Sequence, residues 1–512
     1  MLFSEKLNFL MDLTNTTNSA LALNIKLDPS HISRLRRGER RALKNEACIT
    51  AMASYFTRHC ERDYQQRALA EALSLDYLSC DEKKLSDSIA RWLLSGDRND
   101  NNTVESFLSG FAKIKNKHAL SAAADQVGLP VENAGSSTDV YFGIKGKRLA
   151  VINFLSTVIA RDKPQTLLLF SDEATDWMAD DRDFAVQWAF LMAQFLSKGG
   201  SIKIIHTVSR DLDEMMSALG QWMPLYMFGS IEPYYYPKKR DGVFKRTLFI
   251  SPNVAAVIST SVGAMRDQAA NVLLRDRSAV ASYEREFLEY LSMCRPLMRV
   301  FTTKDEKAYF DALSEFENIQ SDAIIKTDSL SLVTMPENTF ASVASRLEGT
   351  DQGFSEYQKE RVALFEKNLQ AHAFIEIVAL PELQALAEGK VKVSFSDMLA
   401  GQTVFYTAEE YAQHLKNLLL LFVKYENFRI KLTASSSEES YMVYVSEDVG
   451  AIVAKTAAPP VILAIDENNM KAAFWDYLKS IAGSVEALGN GREATKKKLS
   501  DYIAELEKAL LS

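Results

Sequence analysis

The sequence predicts a multidomain protein with an all-α N-terminal domain, a helical connector and two similar α/β lobes, a combined α + α/β fold class. A chain of 512 residues is longer than one hydrophobic core normally supports, so several domains are expected. Up to about residue 127, apolar side chains recur at three- and four-residue spacing, which is typical of helices. From about residue 148, apolar strands alternate with amphipathic helices, which is typical of α/β domains.

The charge is distributed unevenly along the chain. The hydrophobic fraction of 47% and the charged fraction of 25% are those of a folded globular protein with a net charge of −8. Residues 1–60 hold nine Lys and Arg against five Asp and Glu, a net of +4, so the remainder (50 against 62) carries −12. A basic module on an acidic body predicts that only the N-terminal region contacts a polyanion.

Cysteine usage and hydropathy bear on the compartment. The four cysteines (Cys48, Cys60, Cys80 and Cys294) show no metal-ligand spacing and predict neither a disulfide framework nor a metal site. The N-terminus has no signal-peptide layout, and no run approaches 18 uncharged apolar residues. We therefore expect a cytoplasmic protein without a membrane span, and the sequence predicts no cofactor.

The segment from Thr17 to Arg41 predicts two short helices joined by a tight turn. The second helix is expected from about Pro29 to Arg37. Asp28 can cap it by accepting from free amides of its first turn, and Pro29 suits the first helical position. Gly38 can end it, because glycine tolerates the left-handed conformation. Apolar contacts between the two helices are expected from Ala20, Leu23, Ile25, Ile32 and Leu35.

The run SHISRLRRGER at 30–40 resembles a motif of the phage-repressor-type (Xre-like) helix-turn-helix family. In that family the third helix commonly ends in S-x-I-S-x-x-x-x-G-x-R, and the resemblance covers roughly residues 4–60. It implies a DNA-binding domain in residues 1–60, whose later helix enters the major groove. The family often has a phosphate-contacting Gln at the start of its second helix, where this chain has Thr17, Asn18 and Ser19.

The resemblance also implies how the DNA-binding residues divide their work. Side chains early in the recognition helix are expected at base edges, and the arginines near its end against phosphates. The predicted DNA-binding residues are Thr17, Asn18, Ser30, His31, Ser33, Arg34, Arg36, Arg37 and Arg40.

The rest of the chain divides into five predicted regions. The strands expected in the first lobe are Thr166–Ser171, Ser201–Thr207 and a pair within Lys245–Thr260, with a helix at Phe184–Ser197. The regions are a helical connector or dimerisation region at 61–138, a first α/β lobe at 139–300, a helical linker at 301–370, a second lobe at 371–482 and a C-terminal helix at 483–512.

Three pairs of segments recur in the same order and predict that the two lobes are similar. The pairs are Phe184–Ile204 with Tyr411–Leu432, Ile250–Ser259 with Val445–Ala454, and Phe287–Leu291 with Phe474–Leu478. The alternative is convergence of ordinary amphipathic units. A doubled α/β lobe loosely resembles the phospholipase D-like superfamily, which some regulators use as a sensor domain.

Enzymes of that superfamily need H-x-K-x-x-x-x-D in each half, with the histidine attacking phosphorus. If Asn253 and Asp448 take the aspartate positions, neither half has the required residues. The histidine and lysine positions are then Arg246 and Leu248 in one half, and Tyr441 and Val443 in the other. The sequence therefore predicts a body that is not an enzyme.

A weaker ligand-binding hypothesis concerns the first lobe. His206 follows a predicted strand near Arg210, and the aromatic run at Tyr235 precedes the basic residue Lys238. Aromatic rings beside cations can stack on a planar or anionic ligand. The candidate ligand-binding residues are His206, Arg210, Tyr235 and Lys238. Such a histidine is more often simply hydrogen-bonded, and such a loop is more often a rigid turn.

These observations favour a bacterial, cytoplasmic, sequence-specific DNA-binding transcriptional regulator. It is expected to bind double-stranded DNA as a homodimer, with a body that senses a small-molecule or protein effector or oligomerises. The alternative is a protein-interaction scaffold whose basic helical hairpin docks a protein partner.

Overall fold

The computed structural model describes residues 3–36, 46–73, 82–94, 100–113, 136–173, 176–206, 212–226, 230–237, 243–262, 265–302, 305–347, 352–394, 396, 403–433, 440–457, 460–483, 488–489 and 491–510. The chain forms two compact units, one of Met1–Thr103 with Ser209–Glu214, the other of Val104–Val208 with Met215–Ser512. The predicted combination of α and α/β structure is confirmed. No helix of the described residues has the length and apolarity needed to cross a membrane.

The first unit is built from helices around one core. Leu7, Leu10 and Met11 of the first helix are buried, together with Met52 and Phe56. Leu69, Ile89 and Leu93 belong to the same apolar cluster, so this core continues past the boundary predicted at residue 60. The helices are α1 (Phe3–Leu13), α2 (Asn18–Ile25), α3 (Pro29–Arg36), α4 (Glu46–His59), α5 (Asp63–Ala72) and α6 (Glu82–Leu94).

Helix α7 spans Asp100–Lys113. Its residues from Val104 belong to the second unit. There the ring of Phe107 packs edge-on against Phe474, with centroids 6.2 Å apart. Residues 114–135 of the connector predicted at 61–138 lie outside the described residues.

The first lobe contains an eight-stranded mixed sheet in the order β1-β7-β6-β5-β2-β3-β4-β8. Strands β2, β3 and β4 are parallel, and the others pair antiparallel with their neighbours. The strands are β1 (Thr138–Phe142), β2 (Thr166–Ser171), β3 (Ser201–His206), β4 (Ile231–Tyr235), β5 (Phe244–Ser251), β6 (Ala255–Val262), β7 (Ala270–Leu274) and β8 (Arg295–Pro296). The helices are α8 (Gly143–Ile159), α9 (Asp176–Ala179), α10 (Arg182–Ser197), α11 (Leu212–Tyr226) and α12 (Arg277–Ser292).

The second lobe contains a seven-stranded sheet in the order β12-β11-β10-β13-β14-β15-β9. Its strands are β9 (Met298–Thr302), β10 (Ala323–Lys326), β11 (Phe374–Ala379), β12 (Phe428–Thr433), β13 (Tyr441–Ser446), β14 (Gly450–Lys455) and β15 (Val461–Ile465). Its helices are α13 (Glu306–Asn318), α14 (Glu337–Ala344), α15 (Gln352–Asn368), α16 (Leu383–Ala387), α17 (Ala408–Lys424), α18 (Asn468–Ala482) and α19 (Arg492–Leu510).

The two lobes repeat one topology. If β1 to β7 are set against β9 to β15 in chain order, the strand order and every parallel or antiparallel pairing agree. Only Leu297 separates β8 from β9, and its N–H donates to the carbonyl of Pro233 on β4 (2.9 Å). This continuous stretch joins the sheets, because β8 pairs with β4 while β9 pairs with β15.

Two of the three predicted segment matches fall at equivalent places. Ile250–Ser259 spans the β5–β6 turn, and Val445–Ala454 spans its counterpart, the β13–β14 turn. Phe287–Leu291 lies in α12, and Phe474–Leu478 lies in its counterpart α18. The third pair was wrong by one strand: Phe184–Ile204 ends in β3, whose counterpart is β11, whereas Tyr411–Leu432 ends in β12. An amphipathic helix followed by a buried strand looks similar wherever it occurs, so such units are easily set against the wrong copy.

The region predicted as a helical linker, 301–370, is part of the second lobe. Strand β10 lies within it and pairs with β11 and β13 in the middle of the sheet. Little in the sequence indicates β10, because the strand has only four residues. At the C-terminus, Leu499, Ile503 and Leu506 of α19 join the core of this lobe, whereas Leu510 is 41% exposed.

Candidate nucleic-acid interface

Local hydrogen bonds define the turn between α2 and α3. The Thr17 hydroxyl accepts from the N–H of Ala20 (3.2 Å) at the start of α2. Lys26 ends α2 in the left-handed conformation, with φ of 56°. The Asp28 carboxylate accepts from the N–H of Ser30 (2.7 Å), which confirms the predicted cap of α3. Both capping residues satisfy amides that a helix start otherwise leaves unpaired.

The packing between these helices was predicted in part. Ile25, Ile32 and Leu35 are buried, but the prediction for Leu23 was wrong, because its side chain is 81% exposed. Helix α2 instead buries Leu21 and Ala22 with Ile25, while Ala20 is only half-buried. Residues 21, 22 and 25 share one helix face at three- and four-residue spacing, and residue 23 falls outside that face.

The first turn of α3 presents short polar side chains. Ser30 is exposed, His31 and Ser33 are half-buried, and the intervening Ile32 faces the core. The side chain of Arg34 lies outside the described part of the structure, as do Arg37 and Arg40 entirely. A capped helix with polar residues exposed in its first turn has the form of a groove-reading helix, whose N-terminal residues contact base edges.

Arg36 ties the end of α3 to the two preceding helices. Its Nε donates to Oδ1 of Asn8 (2.6 Å) and its Nη1 to Oδ1 of Asn18 (3.0 Å). Its Nη2 lies 3.7 Å from a carboxylate oxygen of Asp12, and Asn8 donates back to the Arg36 carbonyl (3.0 Å). The sequence offered no signal for these roles of Asn8 and Asp12. The phosphate contacts of Asn18 and Arg36 stay predictions.

We expect Arg36→Ala to lower the free energy of local opening of α1 to α3 by about 1.5–3 kcal/mol, because hydrogen bonds to a charged group are lost. Hydrogen exchange of the amides of these helices in the full chain measures that energy. Arg67→Ala is the matched control in the same unit, since Arg67 forms an exposed pair with Asp63. It should change the energy by less than about 0.5 kcal/mol. Equal protection in both variants would contradict the anchoring role.

Two of the four candidate ligand-binding residues, His206 and Tyr235, lie in the described part of the chain and are neighbours. His206 ends β3 in register with the buried Tyr235 of β4. Its Nε2 lies 3.0 Å from the hydroxyl of Tyr226, and its ring meets Trp222 edge-on with centroids 6.4 Å apart. Burial, followed by the charge of Glu467, raises the pKa of Tyr235. The other two candidates, Arg210 and Lys238, lie outside the described residues.

The repeated topology sets Arg246 of β5 against Tyr441 of β13, the two positions that the phospholipase D-like pattern assigns to histidine. Arg246 forms a bidentate pair with Glu286 on α12, and the Tyr441 hydroxyl accepts from Lys326 Nζ (3.2 Å). A guanidinium paired with a carboxylate is a poor nucleophile at neutral pH. Within the described ranges, no group of three or more His, Cys, Asp or Glu side chains is placed to hold a metal ion.

The second lobe holds a buried polar network that the sequence did not reveal. Oε1 of Glu376 on β11 accepts from the N–H of Ser331 (3.0 Å), and the residue is fully buried. His414 on α17, also fully buried, lies between Thr334 Oγ1 (3.1 Å) and the Tyr406 hydroxyl (3.0 Å). Burial raises the pKa of Glu376 to about 8 and lowers the pKa of His414 to about 3. Both side chains are therefore mainly uncharged at neutral pH.

No protein-family model matches the chain, and no curated protein matches it. Solved structures with some likeness include TrmBL2, described as an archaeal chromatin protein with a novel mode of DNA binding (16% identity, 41% of this chain and 71% of that one, TM-score 0.24). Others are NucT from Helicobacter pylori (11%, 31% and 98%, 0.22) and polyphosphate kinase from Porphyromonas gingivalis (9%, 72% and 56%, 0.24). At these TM-scores the likenesses carry no functional argument.

Proposed function

We propose that the chain is a sequence-specific DNA-binding transcriptional regulator that reads a duplex with α3. The observation that carries the proposal is the capped first turn of α3, where Ser30 is exposed while Ile32 and Leu35 anchor the helix to its core. The helix is thus anchored by its apolar side and presents Ser30 outward. An anchored helix suits base readout, since contacts with base edges need fixed geometry.

The proposed division of labour is the one expected from the sequence. Ser30, His31, Ser33 and Arg34 read base edges, and Arg37 and Arg40 contact phosphates. Thr17 and Asn18, at the start of α2, contact the DNA backbone in this proposal. Arg36 keeps α3 in place in addition to any phosphate contact. The net charge of +4 in residues 1–60 against −12 elsewhere supports DNA contact by this part of the chain alone.

One module of this size contributes few base contacts, so we propose that two copies bind a two-fold symmetric site. In this proposal the second unit brings the copies together and responds to an effector, and it carries out no catalysis. Phospholipase D-like enzymes need histidine at the two positions where this chain has Arg246, paired with Glu286, and Tyr441. This difference supports the assignment.

Salt distinguishes DNA binding from docking of a protein partner. A protein that contacts six to ten phosphates loses about 10³- to 10⁵-fold in affinity between about 50 and 200 mM salt. We expect the full chain to show a loss in this range in fluorescence-anisotropy titrations with mixed-sequence duplex DNA. If no duplex binds at the lowest salt concentration, the basic hairpin serves another partner and the proposal fails.

A further inference from the structure

A cavity lies at the amino ends of the parallel strands β2 and β3 in the first lobe. It is enclosed by the ends of α8 and α10 and by the loops that lead from these helices into the two strands. Its volume is about 270 Å³, close to the lower end of the range of about 300–1,000 Å³ that is usual for ligand pockets. The N–H of Asp172 donates to the Arg246 carbonyl (3.1 Å) at the other end of β2, so the cavity is separate from the position where phospholipase D-like enzymes have histidine.

The second lobe has a cavity at the equivalent place, but this one is nearly closed. The ends of α13 and α15 and the starts of β10 and β11 surround a space of only about 30 Å³. Phe365 in the last turn of α15 lines it, as Phe195 in the last turn of α10 lines the larger cavity. The strand registers set His372 at the position that Gly200 has in the first lobe. The same space is thus retained in both lobes and is open in the first.

The loops around the two cavities account for the difference in size. Residues 160–165 (six) join α8 to β2 and 319–322 (four) join α13 to β10, whereas 198–200 (three) join α10 to β3 and 369–373 (five) join α15 to β11. A Cβ on Gly200 would lie only 2.4 Å from the ring of Phe195, so glycine lets this ring form part of the cavity wall. The first lobe therefore has the longer loop on one side of the cavity and the shorter, glycine-containing loop on the other, which leaves the space open.

The inner surface of the larger cavity is apolar. Val158 and Ile159 from the end of α8 and Phe195 from α10 line it and are buried. Covering apolar surface contributes about 25 cal/mol per Å², so this floor favours a ligand with an apolar ring or chain. Rings also line the reduced space of the second lobe, where Phe316 and His372 lie. A flat ring therefore suits this point of the repeated fold.

The rim of the larger cavity is basic. Arg161 and Lys163 line it from the loop before β2, and both are exposed. In the part of the chain that the structure describes, neither side chain forms an ion pair. Lys198, in the loop after α10, donates to the Ile159 carbonyl (2.9 Å). Three cations thus stand against one carboxylate, Asp162, in a chain whose residues after 60 carry a net charge of −12. This local excess of positive charge favours an anion.

We propose that this cavity binds a small aromatic carboxylate. The ring of the ligand packs on Val158, Ile159 and Phe195. Its carboxylate meets the charges of Arg161 and Lys163, since guanidinium and ammonium groups form strong hydrogen bonds with carboxylates. Binding of such a ligand does not depend on the proposed DNA binding. Only its use as an effector of DNA binding rests on that proposal.

The test is a titration of the full chain with 2-naphthoate in the absence of DNA, followed by saturation-transfer difference NMR. We expect saturable binding with a dissociation constant below about 1 mM. The neutral 2-naphthamide should bind at least about 10-fold more weakly, because the amide lacks the charge. No saturation by 2-naphthoate up to about 5 mM, or equal affinity for the two probes, would overturn the inference. Because no DNA is present, failure here and failure of the proposed DNA binding are separate results.

A rim variant tests where the carboxylate binds. Arg161→Gln with Lys163→Gln removes both rim charges from an exposed loop. It should weaken 2-naphthoate binding at least about 5-fold and leave 2-naphthamide binding within about 2-fold. The control is Lys145→Gln with Arg277→Gln, which removes the same charge from exposed positions in the first turns of α8 and α12. The control should change neither affinity by more than about 2-fold, because salt screens distant surface charges.

A filled variant tests the cavity itself. Gln165 lines the cavity and is half-buried, so Gln165→Trp adds a ring there without changing the charge. It should weaken the binding of both probes at least about 10-fold, because the ring occupies the space that the probes need. Wild-type affinity for 2-naphthoate in either the rim variant or the filled variant would place the bound probe elsewhere and overturn the inference.

Discussion

Ser30→Glu should weaken binding to duplex DNA about 10- to 100-fold, because a base contact is lost and a carboxylate meets the phosphate-lined groove. Ser30 is the second residue of α3 and is exposed. A carboxylate near a helix N-terminus is favourable to the helix by about 0.3–1 kcal/mol, so the variant should remain folded. Loss of binding would then reflect the change at the DNA-contacting surface and not a loss of domain stability.

Ser282→Glu on α12 is the matched control, since it adds the same charge to a helical serine of the second unit. It should bind DNA within about 2-fold of wild type, because in the proposal the second unit makes no contact with DNA and physiological salt screens a single added surface charge. Anisotropy titration of both variants on one duplex gives the comparison. Wild-type affinity in the Ser30 variant would remove α3 from the interface.

At pH 8, Glu376→Gln should raise the free energy of unfolding of the second lobe by about 3 kcal/mol more than it does at pH 5.5. Each pH unit between the unfolded and folded pKa values contributes about 1.36 kcal/mol to this difference. Burial raises the pKa of Glu376 to about 8, against 4.5 for an ordinary glutamate side chain. Between these values the unfolded chain has lost the proton that the folded chain retains. Wild-type stability from this group is therefore fully present below the unfolded pKa and is lost as pH rises through the folded pKa.

The glutamine variant has no such titration, and its side-chain oxygen can still accept from the N–H of Ser331. Urea unfolding at the two pH values, followed by hydrogen exchange in β11, measures the difference. Glu382→Gln, at an exposed position before α16, is the control and should show no pH-dependent difference from wild type. A stability difference for Glu376→Gln that is the same at both pH values would show that the buried carboxyl does not hold its proton.

The sequence predicted those parts of the fold that depend on neighbouring residues. Asp28 and Pro29 act on the amides next to them, so the local sequence was enough to place the start of α3. The turn joining β5 to β6 could likewise be matched to its repeat, because Ser251 and Ser446 stand at equivalent turns.

The parts that were missed depend on residues distant in sequence. Leu23 looks like a core residue, yet helix phase turns it to solvent. Nothing in the sequence indicated that Asn8, 28 residues away, accepts a hydrogen bond from the guanidinium of Arg36. Strand β10, with four residues, is recognisable only by its neighbours β11 and β13. Burial of Glu376 and His414 follows from sheet and helix packing that no local pattern records.

Selection of bound sequences from a random duplex pool by the full chain tests the central claim most directly. If α3 reads base edges and two copies act together, one motif should be enriched as an inverted repeat. Its half-site centres should lie about 10–10.5 base pairs apart or at a multiple of that spacing, and Ser30→Glu should fail to enrich it. A pool that stays random with wild type, or the same motif recovered by Ser30→Glu, would contradict DNA reading by α3.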